Sequence, residues 1–345
     1  MSRFRDEIGE QPLLAKRMLA ESRSAVASIA SRLRTSKPRG FVIVARGSSD
    51  HAALYAKYLF GVRNHTMVTL AAPSLFTSYG SPPSLDGQCV IGISQSGESP
   101  DVIAVINEAV RQGAVTLAIT NDPDSPLAKA AELVLPLGAG PERSVPASKT
   151  YIASLLALAL ISQALEPDAS FEAALGQVPP ALAAALEQEG ELDRLVPLLL
   201  GPRAIVLGRG FNFSTAEEIA LKLTETSYVL ARAWSVADFE HGPIAVVEAG
   251  FPVILVDGRG QVSTDLESIG LRLMHHGCRV MRLLDGAVGN DDRPEATVSI
   301  DSGLPEELTP LTLGVLGQLL AHRVALARGI DPDRPRALNK VTRTW

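Results

Sequence analysis

The sequence predicts an α/β protein made of two doubly wound parallel-sheet lobes in tandem, each a three-layer αβα stack. Three observations predict it. Short, continuous apolar runs rich in β-branched residues alternate with helical patterns, as in Gly40–Ala45 followed by His51–Phe60, and such runs suit strands buried on both faces of a parallel sheet. The same strand-end pattern then returns. Arg46-Gly47 overlays Arg209-Gly210 with an offset of 209 − 46 = 163, and at nearly the same offset Ser96-Gly97 falls near Gly258-Arg259. A period of that size marks a duplicated lobe, not a solenoid repeat. Finally, 345 residues exceed one average domain.

Taken in order, residues 1–35 form a helical lead-in, with Phe4–Ile29 read as a helix pair. The first lobe covers residues 36–166. Its strands are Gly40–Ala45, Met67–Ala71, Cys89–Ile93, Val115–Ile119 and Leu133–Leu135, with helical patterns between most of them. Residues 167–200, rich in Ala, Leu and Glu and carrying Pro179-Pro180, read as a helical connector. The second lobe covers 201–328, with strands at Ala204–Leu207 and Val253–Val256 and a helix from about Thr215 to Leu230. The polar tail 329–345, with Pro332 and Pro335, is expected to lie over the active site.

Composition narrows the function classes. An apolar fraction of 46% and a charged fraction of 20% fit a globular chain with a sizeable core. The net charge is −6 and no Lys/Arg-rich run stands out, which gives nucleic-acid binding little electrostatic support. An acidic chain still holds phosphate where backbone N–H groups point out of a helix N-terminus. Cys89 and Cys278 lack metal-ligand spacing and read as two buried thiols. Arg3, Arg5, Asp6 and Glu7 interrupt any secretory apolar run, and Tyr151–Leu165, taken as the longest apolar stretch, is shorter than the ~20 residues of a membrane span. The expectation is a cytoplasmic protein with no membrane partner.

Five segments carry chemistry. Ser94-Gln95-Ser96-Gly97-Glu98-Ser99 follows a strand and precedes a helix opening at Pro100-Asp101. Hydroxyls donate to phosphate oxygens, glycine lets the backbone approach, and the helix dipole favours negative charge. A plain N-cap turn is the alternative. Gly47-Ser48-Ser49, after an earlier strand, has the same character. Neither segment is a Walker loop or a dinucleotide fingerprint. Glu218, Lys222 and Glu225 are spaced i, i+4, i+7 and share one helix face amid apolar neighbours; they form either a polar stripe facing a cleft or a solvated ion pair. His241, in a turn before Gly242-Pro243, suits acid–base work near neutral pH or a structural role. Lys340 lies in the tail, and the adjacent His275-His276 point apart on a helix, so no metal site is assigned.

In their order and spacing, ARGSSDHA (45–52), ISQSGESPD (93–101), VPASKT (145–150), GRGFN (208–212), EIALKLTETSY (218–228), FEHGP (239–243) and DRPRALNKVT (333–342) resemble the isomerase half of glucosamine-6-phosphate synthase and its stand-alone relatives, across nearly the whole chain. The resemblance implies two SIS-type lobes, a hexose 6-phosphate bearing an amino group as substrate, and a homodimer with shared active sites. By the same resemblance Ser48, Ser49, Ser94, Gln95, Ser96 and Ser99 hold the phosphate and nearby hydroxyls, with Gly47 beside them, and Val145 and Ala147 line the sugar. Glu225 matches the base that moves a proton between C1 and C2, with Lys222 and Glu218 as its helix partners. His241 matches the residue that assists ring opening, and Lys340 a lysine able to form a Schiff base with the keto sugar. Thr224 and Trp345 depart from the pattern, where Lys and Glu are commoner. The synthase also begins with a glutamine-hydrolysing domain whose nucleophile is an N-terminal Cys. Here no Cys precedes Cys89, so ammonia is not expected to come from glutamine.

The expected reaction is glucosamine 6-phosphate plus water giving fructose 6-phosphate and ammonia. It calls for no cofactor, because a neighbouring imine or carbonyl already acidifies the C–H bond. The alternatives are a deglycase acting on 6-phosphorylated sugar–amine adducts, a simple aldose–ketose isomerase, and a non-catalytic phosphosugar sensor.

Overall fold

The computed structural model describes residues 2–288, 296–338 and 340. The chain divides into two compact units. One comprises residues 13–142, 149–176 and 338–345; the other comprises 1–12, 143–148 and 177–337.

The unit built around the first lobe carries strands β1 (Gly40–Val44), β2 (Val68–Leu70), β3 (Gln88–Ser94), β4 (Val115–Thr120) and β5 (Leu133–Pro136), all parallel, in the order β2-β1-β3-β4-β5. Strands β1, β3 and β4 are buried along nearly their whole length, which is why they read as continuous apolar runs. The helices Ser48–Arg63, Arg23–Ser36 and Lys149–Leu165 pack together, and Pro100–Arg111 packs with the short helix Pro126–Ala130. Val44, Val90, Val102, Val105, Ile106, Ala118 and Leu127 form one core between sheet and helix. Fully burying each of the larger ones contributes roughly 1.5–3 kcal/mol.

The other unit repeats the winding. Strands β6 (Arg203–Gly208), β7 (Leu230–Ser235), β8 (Pro252–Asp257), β9 (Arg279–Asp285) and β10 (Ala296–Ile300) are parallel in the order β7-β6-β8-β9-β10. In both sheets the strand order reverses beside the first strand of the lobe, at β1/β3 and at β6/β8. A crevice opens outside the strand carboxyl ends at such a reversal. The helices Phe211–Ser227 and Thr309–Ala327 pack closely enough that a Cβ on Gly317 would lie 2.2 Å from Ile219 Cγ1.

Several expectations need correction. The lead-in is three helices, Arg3–Gly9, Gln11–Glu21 and Arg23–Ser36, not a pair. The helix expected to reach Leu230 stops at Ser227, because Tyr228 takes a left-handed conformation (φ 54°) and Leu230 enters β7 against Arg203 of β6. Strands β7, β9 and β10 had no counterpart in the sequence reading. β7 is a half-exposed edge strand, and β9 carries a buried arginine, Arg282, paired with Asp257 of β8. The helix 306–327 is a longer apolar helix than Tyr151–Leu165. By length and composition it is the one helix among the described residues able to cross a membrane, and 83% of its apolar window is buried inside the protein. Both cysteines are buried, and burial pushes the Cys89 thiol up to about 12.

Candidate functional site

The serine-rich segments of the first lobe lie at the β1/β3 reversal. Neighbouring strands β1 and β3 are each followed directly by a helix, so the N-termini of Ser48–Arg63 and Pro100–Arg111 open at the same edge of the sheet. Gly47 caps the first helix at φ 55°, ψ −132°, a region that glycine enters without the steric cost other residues meet. Ser48 therefore starts the helix that the sequence reading began at His51, and Ser49 sits half-buried in its first turn.

After β3, the backbone N–H of Gly97 donates to Ser94 Oγ (3.2 Å), and Ser94 Oγ lies 3.3 Å from Ser99 Oγ. The Ser96 hydroxyl accepts from Glu98 N at 3.2 Å, and the Gln95 carbonyl accepts from Asn121 N at 3.2 Å. Gly97 has φ 64°, and a Cβ there would stand 2.1 Å from Ser125 Oγ, so both backbone and space demand glycine. Ser99 is the N-cap of its helix, yet its side chain makes no cap bond; Pro100 brings no N–H to the first turn, and Val102 N donates to Asp101 Oδ1 at 2.9 Å.

Arg46, which in the sequence marks only the repeat, is a further residue at this edge. Its Nε donates to Asp101 Oδ2 at 2.6 Å; Asp101 is fully buried, while the Arg46 side chain is 53% exposed beside Gly47. The available signal was a lone cation at a strand end before Gly-Ser-Ser. Burial raises the Asp50 carboxyl above its ordinary value, opposed by His51 and Arg46. In the same unit Lys340 Nζ donates to Glu142 Oε2 at 2.8 Å. Glu142 is buried and also accepts from Thr150 N (3.0 Å) and Thr150 Oγ1 (2.8 Å). Asn339 and Trp345 lie outside the described residues.

In the other unit Glu218, Lys222 and Glu225 form the row that helical spacing predicts. Lys222 Nζ lies 2.6 Å from Glu225 Oε2 and 3.5 Å from Glu218 Oε1. Glu218 and Lys222 are each 1% exposed, whereas the Glu225 side chain is 23% exposed. Only the last member of the row therefore reaches solvent. Thr224 donates its hydroxyl to Ala220 O (2.8 Å) and lies 3.1 Å from Val229 O, tying the helix end to the turn before β7.

His241 caps the C-terminus of the short helix Val236–Glu240 and is exposed, with Gly242 at φ 145° after it. Among the described residues its side chain makes no hydrogen bond or ion pair, so the structure does not join it to the carboxylate row. Val145 and Ala147 are half-buried on a loop held by Glu7, a residue that was not singled out from sequence. No group of three or more His, Cys, Asp or Glu able to hold a metal occurs among the described residues.

The second lobe repeats this frame and fills it. Gly210 caps its helix at φ 57°, ψ −133°, matching Gly47, and Arg209 reaches Asp265 at 3.1 Å as Arg46 reaches Asp101. The loop after β8 differs. Glu306 Oε2 accepts from Gln261 N at 2.9 Å and would stand 1.8 Å from a Cβ on Gly260. The chain's own carboxylate occupies that loop, and burial raises the Glu306 carboxyl.

The SIS domain family matches residues 36–163 and 201–271. Among curated proteins, a glutamine–fructose-6-phosphate aminotransferase (isomerizing) of Thermococcus kodakarensis is 33% identical over 349 residues, covering 97% of this chain and 56% of its own length. Its counterpart from Bradyrhizobium diazoefficiens is 31% identical over 351 residues, covering 97% and 57%. The chain thus spans about half the length of these curated relatives. Among solved structures, a candidate phosphosugar isomerase from Silicibacter pomeroyi DSS-3 is 34% identical with a TM-score of 0.86, covering 96% of this chain and 100% of that one. The C-terminal domain of a glucosamine-fructose-6-phosphate aminotransferase from Francisella tularensis is 25% identical with a TM-score of 0.88, covering 97% and 98%.

Proposed function

Because the chain belongs to the SIS domain family, we propose that it is a phosphosugar aldose–ketose isomerase, and more finely a deaminase that converts glucosamine 6-phosphate and water to fructose 6-phosphate and ammonia. The observation that carries this reading is the row Glu218–Lys222–Glu225, in which two members are buried and only Glu225 reaches solvent with a cation 2.6 Å away. A carboxylate held in that way is placed to exchange a proton with a bound substrate.

The proposal assigns the phosphate to Gly47, Ser48, Ser49, Ser94, Gln95, Ser96 and Ser99. Two helix N-termini and the exposed cation Arg46 at that sheet edge support it. Binding energy from the phosphate then orients the reacting end. His241 protonates the ring oxygen and opens the pyranose. Glu225 removes the C2 proton, leaving an enolamine, and a proton returned to C1 gives the ketimine. Water adds to the ketimine carbon, and ammonia leaves as the ketone forms. Lys340 takes part through a Schiff base only in its neutral form, so it must first leave the ion pair with Glu142. Val145 and Ala147 contact the sugar. A cytoplasmic homodimer with shared active sites belongs to the same proposal.

The test is to supply purified protein with glucosamine 6-phosphate, without glutamine, and to follow ammonia and fructose 6-phosphate. Release of both in equal amounts supports the deaminase. Saturable binding without ammonia sinks it, and 6-phosphorylated sugar–amine adducts then separate a deglycase from a sensor.

A further inference from the structure

We infer that Glu7, on the N-terminal helix Arg3–Gly9, is a positioning residue for the loop 143–148 and thereby sets affinity for the sugar while leaving affinity for the phosphate untouched. The inference rests on the proposed function, through the assignment of Val145 and Ala147 to the sugar.

Among the described residues, no backbone–backbone hydrogen bond joins residues 143–147 to the rest of the chain, and Pro146 has no N–H to offer. Side chains hold the loop instead. Glu7 is 5% exposed, and its carboxylate accepts from the backbone N–H of Arg143 through Oε1. Ser144 N lies 3.3 Å from both carboxylate oxygens, and Ser144 Oγ lies 2.6 Å from Oε2 and 2.8 Å from the Pro146 carbonyl. At the far end of the loop, Gln318 Nε2 donates to the Ser148 carbonyl (3.1 Å) and Gln318 Oε1 accepts from Gln11 Nε2 (2.6 Å). One carboxylate thus gathers the donors immediately before Val145, and the residues lining the sugar sit between two side-chain anchors. Charge-assisted bonds of this kind are about twice as strong as neutral ones.

Glu7 is itself held firmly. Asp333, distant in the sequence, caps the helix, accepting from Arg3 N (2.7 Å) and Phe4 N (2.9 Å). Ser2 Oγ accepts from Arg5 N at 3.2 Å, Arg5 pairs with Glu189 at 2.7 Å, and Phe4 is fully buried. A carboxylate on so fixed a stem dictates where the loop lies.

The experiment compares wild type, Glu7→Gln, Glu7→Asp and Ser144→Ala by calorimetric titration with fructose 6-phosphate and with inorganic phosphate, and by hydrogen exchange at the Arg143 and Ser144 amides. The two ligands share the phosphate and differ in the sugar, and neither titration needs turnover. Glu7→Gln is expected to weaken fructose 6-phosphate roughly tenfold, the factor that losing one charge-assisted contact gives. Inorganic phosphate should bind as before, and the two amides should exchange faster. Ser144→Ala should follow in the same direction with a smaller effect, and Glu7→Asp should recover part of the loss. Equal weakening of both ligands would reduce Glu7 to a general structural role and overturn the inference, as would unchanged fructose 6-phosphate binding. A wild type that binds no hexose phosphate overturns the proposed function instead, while the exchange rates still report whether Glu7 holds the loop.

Discussion

The ammonium of Lys222 stands 2.6 Å from Glu225 Oε2, and of the two side chains only Glu225 is appreciably exposed. A buried cation therefore backs a carboxylate that faces solvent. Replacing Glu225 by Gln keeps the shape and removes the proposed proton acceptor. We expect kcat to fall by roughly 10²–10⁴-fold, the range general-base catalysis supplies, with sugar-phosphate affinity nearly unchanged. Near-normal turnover in Glu225→Gln would remove this residue as the base.

Gly97 tests the proposed phosphate site. Its φ of 64° and the 2.1 Å approach of Ser125 Oγ to any added Cβ mean that Gly97→Ala must shift the loop. A left-handed alanine costs about 1 kcal/mol before the clash is counted. Phosphate and hexose 6-phosphate should therefore weaken together, with a stability loss of about 1–3 kcal/mol. Calorimetry and denaturant unfolding read both. Unaltered phosphate affinity would move the anion site away from residues 94–99.

The tail lysine separates two roles. Lys340 pairs with Glu142, which keeps two hydrogen bonds from Thr150 when the lysine is removed. Lys340→Ala should then cost no more than about 1–2 kcal/mol of stability. A loss of turnover larger than that, together with loss of borohydride-trapped keto sugar, identifies the Schiff-base lysine. Full activity in the variant leaves Lys340 as a tether.

His322 makes the acid limb of stability readable. It is 5% exposed, and neither ring nitrogen has a hydrogen-bond partner among the described residues. Burial lowers its pKa; Glu189 and Asp333 oppose that shift, while Arg5 and Arg323 add to it. A histidine whose folded value lies below the unfolded ~6.5 is protonated more readily when unfolded. Its contribution is thus intact above about pH 6.5 and is lost as pH falls from there toward the folded value. Urea unfolding at about pH 7.5 and about pH 5.5 should show a larger loss in wild type than in His322→Phe. Equal losses in the two proteins would mean that His322 takes up protons equally in the folded and unfolded states.

How much was legible locally follows the range of each interaction. β1, β3 and β4 are continuous apolar runs because both faces are covered, and the row Glu218, Lys222 and Glu225 follows from helical spacing alone. Ser94–Ser99 announced itself as small hydroxyls around a glycine between strand and helix. β7 and β9 escaped because Arg232 and Arg282 break the apolar signal, and Arg282 is tolerated inside only through Asp257 on the neighbouring strand.

The sequence by itself determined the α/β class, the duplicated lobe, the helix that carries Glu218, Lys222 and Glu225 and the strand end that carries Ser94–Ser99. The class depends on periodicities within a dozen residues, which each segment satisfies alone, and the duplication on a strand-end motif that returns 163 positions later. Only the tertiary structure decided what each charge meets. Glu7 reaches Ser144 across 137 positions, Lys340 reaches Glu142 across 198, and Glu306 fills the second lobe's counterpart of the loop after β3. A buried carboxylate requires partners but does not name them. Which donors arrive is settled when the sheets close and bring distant segments together.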